Sequence, residues 1–368
     1  MFFKERTLNG RTEILLLGCY VDDLFVLTSH DDEESLYTDF VTKLQSSWEV
    51  EDEGEVSDLL NIEIEREGTN CVILRQVSYI LKLIDTYAPD GIPSSHQSTK
   101  TPCDCELPQL IADALAAKDT PDYQVDPKLL KEFQSLVGAL LYCSTNTRPD
   151  IAYAVGMLCR AMSCPTPELL SAALHVLYYL HRHRNIGLRY ECGPTPLYGM
   201  SDSDWAVKHS TSGHLFMYNL ATISWSSKKQ TSVALSSCEA EIVAGSEAAK
   251  EAKYLRMFLA ELGFGDPKPT AQYMDNTGGR NLAYNPEHHQ KTKHIERRHF
   301  YIRELVESLE ISVPFVCSAE NMADFFTKPL KARQFFPMRD MIMNVPAAQS
   351  GGAKAVSARR ARFAARGG

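Results

Sequence analysis

Residues 14–27, ILLLGCYVDDLFVL, contain two apolar runs that flank the adjacent carboxylates Asp22 and Asp23. Two extended runs that meet at a short polar turn predict a β-hairpin whose turn presents both aspartates together. Paired carboxylates of this kind bind hard divalent cations such as Mg²⁺. The same pair can also do no more than form the turn, since aspartate favours turn conformations.

The overall composition predicts a globular protein. The chain has 368 residues, 44% of them hydrophobic, which is enough for two or three domains with real cores. Its formal net charge of −9 disfavours a dedicated nucleic-acid binder, because phosphate affinity comes mainly from clustered Lys and Arg. Any contact with nucleic acid is therefore expected to use local basic patches or metal ions.

Cysteine spacing and hydropathy exclude other classes. The ten cysteines form no C-x-x-C pair, so reduced thiols are expected and a zinc ribbon is not. No run of roughly eighteen apolar residues occurs, so neither a membrane span nor secretion is predicted. We expect an intracellular protein.

The first half of the chain alternates between extended and helical periodicity. A Pro-, Ser- and Thr-rich linker at 91–108 separates two groups of elements. Before it we predict a charged helix at 31–53, strands at 59–64 and 71–74, and a helix at 79–87. After it come three helices at 129–141, 151–162 and 168–181, which lack a carboxylate or histidine cluster and are expected to pack or connect.

From Leu197 the pattern changes to short strands and then to alternating helices and strands. Strands are predicted at 197–201, 214–218, 223–226, 271–274 and 311–316, with a further extended piece at 232–235 and a long helix at 236–262. This order indicates a mixed sheet covered by helices. The predicted segments are 1–105, 106–195, 196–335 and a low-complexity tail, 336–368, expected to be disordered from 347.

Carboxylates recur at element ends in the third segment. Asp202 and Asp275 end predicted strands, Glu241 lies early in the long helix, and Asp324 begins a short helix. Strand ends cluster in space, so these four can converge on one edge and hold two Mg²⁺ or Mn²⁺ ions about 4 Å apart. Each aspartate can instead shape a turn or favour a helix N-terminus.

Two glutamates compete for the helix position. Ser236 and Glu239 have the spacing of a capping box, which assigns Glu239 to the helix N-terminus. Glu241 shares a helix face with Gly245, Ala248 and Ala252, whose small side chains let that face approach a sheet. We therefore prefer Glu241 as the metal ligand.

Basic residues form two local patches in the same segment. Lys228 and Lys229 make the weaker one. The stronger one interleaves with His288, His289, His294 and His299 and consists of Lys291, Lys293, Arg297 and Arg298. These residues are candidates for contacting a phosphate backbone, although a solvated helix face explains the pattern equally well. Zinc is disfavoured because no cysteine stands at finger spacing.

Eight short segments resemble, in order, the Pol polyproteins of copia-type LTR retrotransposons. They are YVDD at 20–23, TRPDI at 147–151, SDSDWA at 201–206, SWSSKKQ at 224–230, SSCEAE at 236–241, DN at 275–276, TKHI at 292–295 and ADFFTKPL at 323–330. The resemblance runs to about Leu330. It implies the C-terminal part of Pol: the end of a reverse transcriptase palm, a helical thumb or connection region, and a ribonuclease H (RNase H) domain.

The fold class implied is α+β or α/β, with an RNase H-like mixed five-stranded sheet preceded by a palm remnant and a helical connection. The family implies metal-dependent DNA synthesis for Asp22 and Asp23. It implies cleavage of the RNA strand of RNA–DNA hybrids for Asp202, Glu241, Asp275 and Asp324, with two Mg²⁺ or Mn²⁺ ions bound. The expected partners are the hybrid and the missing N-terminal part of Pol, in a cytoplasmic particle or the nucleus.

Two departures from the family pattern shape the hypothesis. Met1 lies too close to Asp22 for the upstream metal ligand and fingers, so the polymerase remnant is expected to be inactive. The stretch from Trp205 to Ser210 is a few residues shorter than in the family. The leading hypothesis is an RNase H endonuclease, and the rivals are a non-catalytic relic that at most binds nucleic acid and, with less support, an integrase-like nuclease.

Overall fold

The computed structural model describes residues 1–8, 10–94, 100–205, 209–284 and 296–346, and for 279, 282–283 and 296–299 the backbone alone. The contacts divide it into two compact units. The first consists of Met1–Val56 with Leu255–Asp266, and the second of Ser57–Tyr254 with Pro267–Gly368. In the described part of the chain no helix has the length and apolar character needed to cross a membrane. The predictions for the tail from 347 lie outside the described residues.

The first unit contains a three-stranded antiparallel sheet in the order β1-β2-β3. Its strands are β1 (Phe2–Leu8), β2 (Arg11–Tyr20) and β3 (Asp23–Thr28). Tyr20 pairs with Asp23, so Val21 and Asp22 form a two-residue turn, with Val21 in the left-handed region at φ 53°. The predicted hairpin is confirmed, and β1 extends it by a strand that the sequence analysis did not predict.

One helix, α1 (Leu36–Gln45), follows this sheet. It begins at Ser35, whose hydroxyl accepts a hydrogen bond from Thr38 N, and it is anchored by buried Glu13, which accepts one from Leu36 N at 2.7 Å. The prediction of a helix over 31–53 was wrong in extent. Acidic residues crowd 49–53, and negative charge is unfavourable at a helix C-terminus.

A four-stranded antiparallel sheet opens the second unit. Its strands are β4 (Asp58–Leu59), β5 (Ile62–Glu67), β6 (Cys71–Arg75) and β7 (Leu188–Glu191). The single strand predicted at 59–64 was wrong, because Leu60 and Asn61 have φ values of 55° and 59° and form a tight hairpin turn. The sheet also pairs β6 with β7, on the far side of the predicted boundary at residue 105.

Five helices fill the middle of the second unit. They are α2 (Val77–Tyr87), α3 (Leu107–Lys118), α4 (Pro127–Asn146), α5 (Ala152–Leu158) and α6 (Pro167–Arg182). The helix α3 was not predicted, because the Pro-rich pattern was assigned to a linker. On α4 the residues Phe133, Leu136, Val137 and Leu140 are fully buried, at the spacing of one helix face.

A buried ion pair lies among these helices, at the TRPD motif. Arg148 donates to both carboxylate oxygens of Asp150, at 2.8 and 2.7 Å, and neither side chain is exposed. The Tyr179 hydroxyl donates a third hydrogen bond to Asp150 at 2.7 Å. The prediction of a packing module omitted this charged centre.

A mixed five-stranded sheet follows in the order β10-β9-β8-β11-β12. Its strands are β8 (Tyr198–Asp204), β9 (Thr211–Tyr218), β10 (Ala221–Lys229), β11 (Thr270–Tyr273) and β12 (Ile311–Ser312). The first three are antiparallel, whereas β11 runs parallel to both β8 and β12. The expected mixed five-stranded sheet is confirmed. Two of the predicted strands differ from the structure: residues 232–235 form no strand, and the strand predicted at 311–316 is reduced to two residues and a bridge at Phe315.

Four helices accompany this sheet. They are α7 (Ser237–Glu261), α8 (Thr277–Tyr284), α9 (Glu296–Glu307) and α10 (Ala332–Ile342). Parallel pairing of β8 with β11 needs a crossover, and α7 lies on it. The small-residue face predicted for α7 does approach the sheet, since Ala248 and Ala252 are fully buried and Gln272 donates to Gly245 O at 2.9 Å.

Candidate active site

Asp202 lies near the carboxyl end of β8 and is only 2% exposed. Opposite it on β9 is Gly213, where a Cβ would lie 2.7 Å from Thr327 Cγ2 and 2.9 Å from Phe326 Cβ. Glycine therefore allows the chain around Thr327 to cross the sheet at close range. The Thr327 hydroxyl then donates a hydrogen bond to Asp202 Oδ2.

The first turns of α7 separate the two candidate glutamates. Ser236 Oγ accepts a hydrogen bond from Glu239 N at 3.2 Å, and the Glu239 carboxylate accepts one from Leu235 N at 2.7 Å. This is close to the capping box expected of the spacing, except that Glu239 reaches Leu235 N and not the N–H of Ser236. Glu241 instead accepts a hydrogen bond from Ser203 N, at 3.2 Å, at the end of β8. The geometry thus commits Glu239 to the helix terminus and brings Glu241 to the strand ends.

Three carboxylates meet at this edge of the sheet. Asp202, Glu241 and Asp275 each place an oxygen within 4.8 Å of the other two, and we call them the carboxylate cluster. Asp275 directly follows the bridge between Met274 and Phe315, which extends β11. Glu241 Oε2 is buried and has no hydrogen-bond partner in the described part of the chain. The cluster therefore holds a buried acceptor oxygen that no described residue satisfies.

Burial and mutual repulsion raise the pKa values of this cluster. The pKa of Glu241 rises to about 8, first because the carboxyl is buried and then because Asp202 and Asp275 are close. The pKa of Asp202 rises to about 6, first through burial and then through Asp324, against the opposing effects of Lys328 and Thr327. A bound cation would relieve this repulsion, since it favours the ionised carboxylates.

Asp324 approaches the cluster beside Asp202, outside the three-carboxylate group. It lies inside a 3₁₀ helix, Met322–Phe326, and does not begin a helix as predicted. Lys328 Nζ lies 2.7 Å from Asp324 Oδ1 and 3.4 Å from Asp202 Oδ2. The structure thus brings all four predicted RNase H carboxylates together and adds a lysine between two of them.

A second cation approaches the same edge from the helical region. Arg160 donates to Thr211 Oγ1 at 2.9 Å. Arg160 and Lys328 each favour the ionised form of Asp204, whose pKa is nevertheless raised, chiefly by burial. The edge of the sheet near Asp204 therefore carries positive charge from two separate elements.

The other predicted ligands, Asp22 and Asp23, belong to the first compact unit. Both are exposed at the tip of the β2–β3 hairpin. Within the described ranges, no third Asp, Glu, His or Cys joins them at the distance of a three-ligand metal site. Their local geometry is therefore that of an exposed turn with two adjacent carboxylates.

The predicted basic patches are described only in part. Lys228 and Lys229 are exposed at the end of β10. Lys291 and Lys293 lie outside the described residues, as do His288, His289 and His294. Arg297 and Arg298 belong to α9, of which only the backbone is described at these positions.

Sequence reasoning missed Thr327, Lys328 and Arg160. A signal for Lys328 was present, because Asp324 and Lys328 have the i, i+4 spacing at which opposite charges pair on a helical turn. Thr327 lies within the ADFFTKPL motif, but no sequence signal gave it or Arg160 a role in the site, since their contacts join residues 125 and 51 positions apart.

Comparison with known proteins identifies the family. The chain is 30% identical over 349 residues to the retrovirus-related Pol polyprotein from transposon TNT 1-94 of Nicotiana tabacum, covering 93% of this chain and 25% of that protein. It is 33% identical to the one from transposon RE1 of Arabidopsis thaliana, covering 89% of this chain and 21% of that protein. The chain belongs to the retrovirus-related Pol polyproteins of transposons, as its motifs predicted, and spans about a quarter of their length.

Two other comparisons add little. No family model matches the chain. The N-terminal RNase H domain of Mycobacterium tuberculosis Rv2228c aligns with 36% of this chain and 91% of its own, at 14% identity and a TM-score of 0.29. A foamy viral protease-reverse transcriptase in complex with RNA/DNA hybrid aligns with 58% of this chain and 27% of its own, at 16% identity and a TM-score of 0.35. At these TM-scores the two likenesses carry no argument about this chain.

Proposed function

We propose that residues 196–335 form an RNase H domain that hydrolyses the RNA strand of RNA–DNA hybrids with Mg²⁺ or Mn²⁺. The observation that carries this proposal is the carboxylate cluster, whose three acidic side chains come from separate elements and lie within 4.8 Å of one another. Asp324 completes the set of ligands for two ions. Membership of the Pol polyproteins makes a nucleic-acid substrate the natural choice.

The residues present fit divalent cations. All the donors are carboxylate oxygens, which hard cations prefer, and Glu241 Oε2 is buried without a partner. The pKa values of Glu241 and Asp202 are raised first by burial and then by neighbouring carboxylates, so a bound cation would favour the ionised form of both groups. Bound Mg²⁺ ions would supply an activated water and stabilise the leaving oxygen of the phosphodiester.

The chain's own residues prepare the site. The Thr327 hydroxyl and Ser203 N fix the orientations of Asp202 and Glu241 through their hydrogen bonds. Burial of both carboxylates excludes bulk water and strengthens their interactions with charge. The expected products are a 3′-hydroxyl and a 5′-phosphate, and 2′-hydroxyls in the minor groove distinguish the hybrid from duplex DNA.

The hybrid is proposed to follow exposed cations around this edge. Lys228 and Lys229 are exposed at the end of β10, and Lys291, Lys293, Arg297 and Arg298 remain predicted contacts. Asp22 and Asp23 are proposed as the remnant of a polymerase site that makes no DNA by itself. Other parts of a Pol polyprotein are proposed to supply the remaining polymerase elements.

Cleavage of a labelled hybrid tests the proposal. The full chain is incubated with an RNA–DNA hybrid carrying a labelled RNA strand, with Mg²⁺ or with EDTA. We expect Mg²⁺-dependent cutting that falls at least 100-fold in Asp202→Asn and in Glu241→Gln. Glu247→Gln is the matched control, because Glu247 lies on the same helix and pairs with Lys250 at the surface. Wild-type cutting no faster than Asp202→Asn contradicts the proposal.

A second candidate is a relic that binds hybrid without cutting it. The observation that favours it is Lys328, which already pairs with two of the four carboxylates. Hybrid binding that is unaffected by Mg²⁺, together with no cleavage, supports the relic. Efficient Mg²⁺-dependent cleavage dismisses it.

A further inference from the structure

Lys328 divides the acidic site into two unequal halves. Its Nζ reaches Asp324 and Asp202, at 2.7 and 3.4 Å. The backbone holds it there, because Lys328 N donates to Asp324 O at 3.2 Å and so closes one helical turn. Its side chain is 39% exposed, which leaves it a path to solvent.

Among the side chains that the structure describes, the other half carries no comparable cation. Within the described residues, no Lys or Arg lies at ion-pair distance from Glu241 or Asp275. Glu241 Oε2 is also without a hydrogen-bond donor. One half of the site thus has free acceptor oxygens, whereas the other is already neutralised by an ammonium group.

We propose that the site binds its two divalent cations unequally, because Lys328 is a built-in counter-cation that must leave Asp202 and Asp324 before the second ion enters. The first ion binds on the side of Glu241 and Asp275, which Lys328 does not contact, while Lys328 stays in place. The second competes with the ammonium group for the same oxygens. This inference rests on the proposed metal site and adds the order and the inequality of binding.

The physical reason is direct competition of like charges. An ammonium group and a divalent ion cannot share carboxylate oxygens at contact distance without strong repulsion, which partial burial leaves poorly screened. Removing Lys328 abolishes this competition and also leaves Asp202 and Asp324 uncompensated in the metal-free protein. Both effects favour the second ion, so loss of this lysine tightens metal binding.

A Mn²⁺ titration of the full chain, followed by the electron paramagnetic resonance of free Mn²⁺, tests the inference. Wild type is expected to show one tight class and one class at least ten-fold weaker. Lys328→Met is expected to tighten the weaker class at least ten-fold while changing the first less than three-fold. Lys331→Met is the matched control, since Lys331 is exposed nearby and its side chain makes no cap hydrogen bond.

The possible failures are distinguishable. If wild type binds two Mn²⁺ ions and Lys328→Met leaves both affinities within two-fold, the inference is wrong and the metal site stands. If wild type binds no Mn²⁺, the proposed function fails with it. Lys328→Gln provides a second variant if Lys328→Met does not fold. The rise in melting temperature with Mn²⁺ is expected to be larger in either variant than in wild type, and an equal rise contradicts the inference.

Discussion

Replacing Asp150 by Asn tests the ion pair buried among the helices of the second unit. Asp150 accepts two hydrogen bonds from Arg148 and one from the Tyr179 hydroxyl, and the Arg148 and Asp150 side chains have no exposed surface. The substitution leaves the guanidinium buried and unpaired, and arginine does not give up its proton to escape. Breaking such a pair costs about 3–5 kcal/mol, so we expect a loss of that size in the free energy of unfolding.

Three further variants provide reference values for this loss in the free energy of unfolding. Tyr179→Phe removes the hydroxyl that donates to Asp150 and that also interacts with the Arg339 side chain, and is expected to cost about 1.5–3 kcal/mol. Lys250→Met removes an exposed pair, with the lysine side chain 56% exposed, and is expected to change stability by less than about 1 kcal/mol. Replacing Arg148 and Asp150 together by Met and Leu is expected to recover part of the loss, because both charges of this pair are then removed from the interior.

Urea unfolding measures these differences. Trp225 is a suitable reporter, since its indole donates to Ser144 O at 2.8 Å and so senses the contact between β10 and α4. Replacing the exposed Trp48 and Trp205 by Phe leaves Trp225 as the only tryptophan. A loss below about 1 kcal/mol in Asp150→Asn, at an unchanged m-value, would refute the reasoning.

Two other predictions concern the carboxylate cluster and its support. Mn²⁺ affinity is expected to rise at least ten-fold between pH 6 and 8, because buried Asp202 and Glu241 have pKa values raised to about 6 and about 8 and must lose protons to bind. Calorimetry of Mn²⁺ binding in two buffers measures the proton release, and an affinity that does not change with pH contradicts this prediction. In the metal-free protein the free energy of unfolding is expected to fall between pH 6 and 8, since the folded state holds more protons there than the unfolded state. Gly213→Ala is expected to cost about 1–3 kcal/mol and to weaken Mn²⁺ binding, because its Cβ meets Thr327 at 2.7 Å. At Gly138 on α4 an added Cβ meets open space, so Gly138→Ala is expected to stabilise the protein by about 0.5–1 kcal/mol. Urea unfolding compares the two variants, and equal changes in their free energies of unfolding would contradict this prediction.

Local sequence patterns predicted much of the fold. The β2–β3 hairpin, the small-residue face of α7 and the capping by Ser236 and Glu239 all depend on residues close together in the chain. Their periodicity, turn chemistry and capping act over a few residues, so the sequence alone predicts these features. The assignment to Pol polyproteins likewise came from short motifs in a fixed order.

Only the tertiary structure decided how the acidic site is neutralised. The sequence nominated Asp202, Glu241, Asp275 and Asp324, but their distances depend on β11 pairing between β8 and β12. Hydrogen bonds between residues far apart in the chain, such as that from Thr327 to Asp202, leave no periodic trace. Short-range steric and hydrogen-bonding preferences depend on residues that are neighbours in the sequence. The balance of charge in a buried site depends instead on which distant side chains the packing brings together.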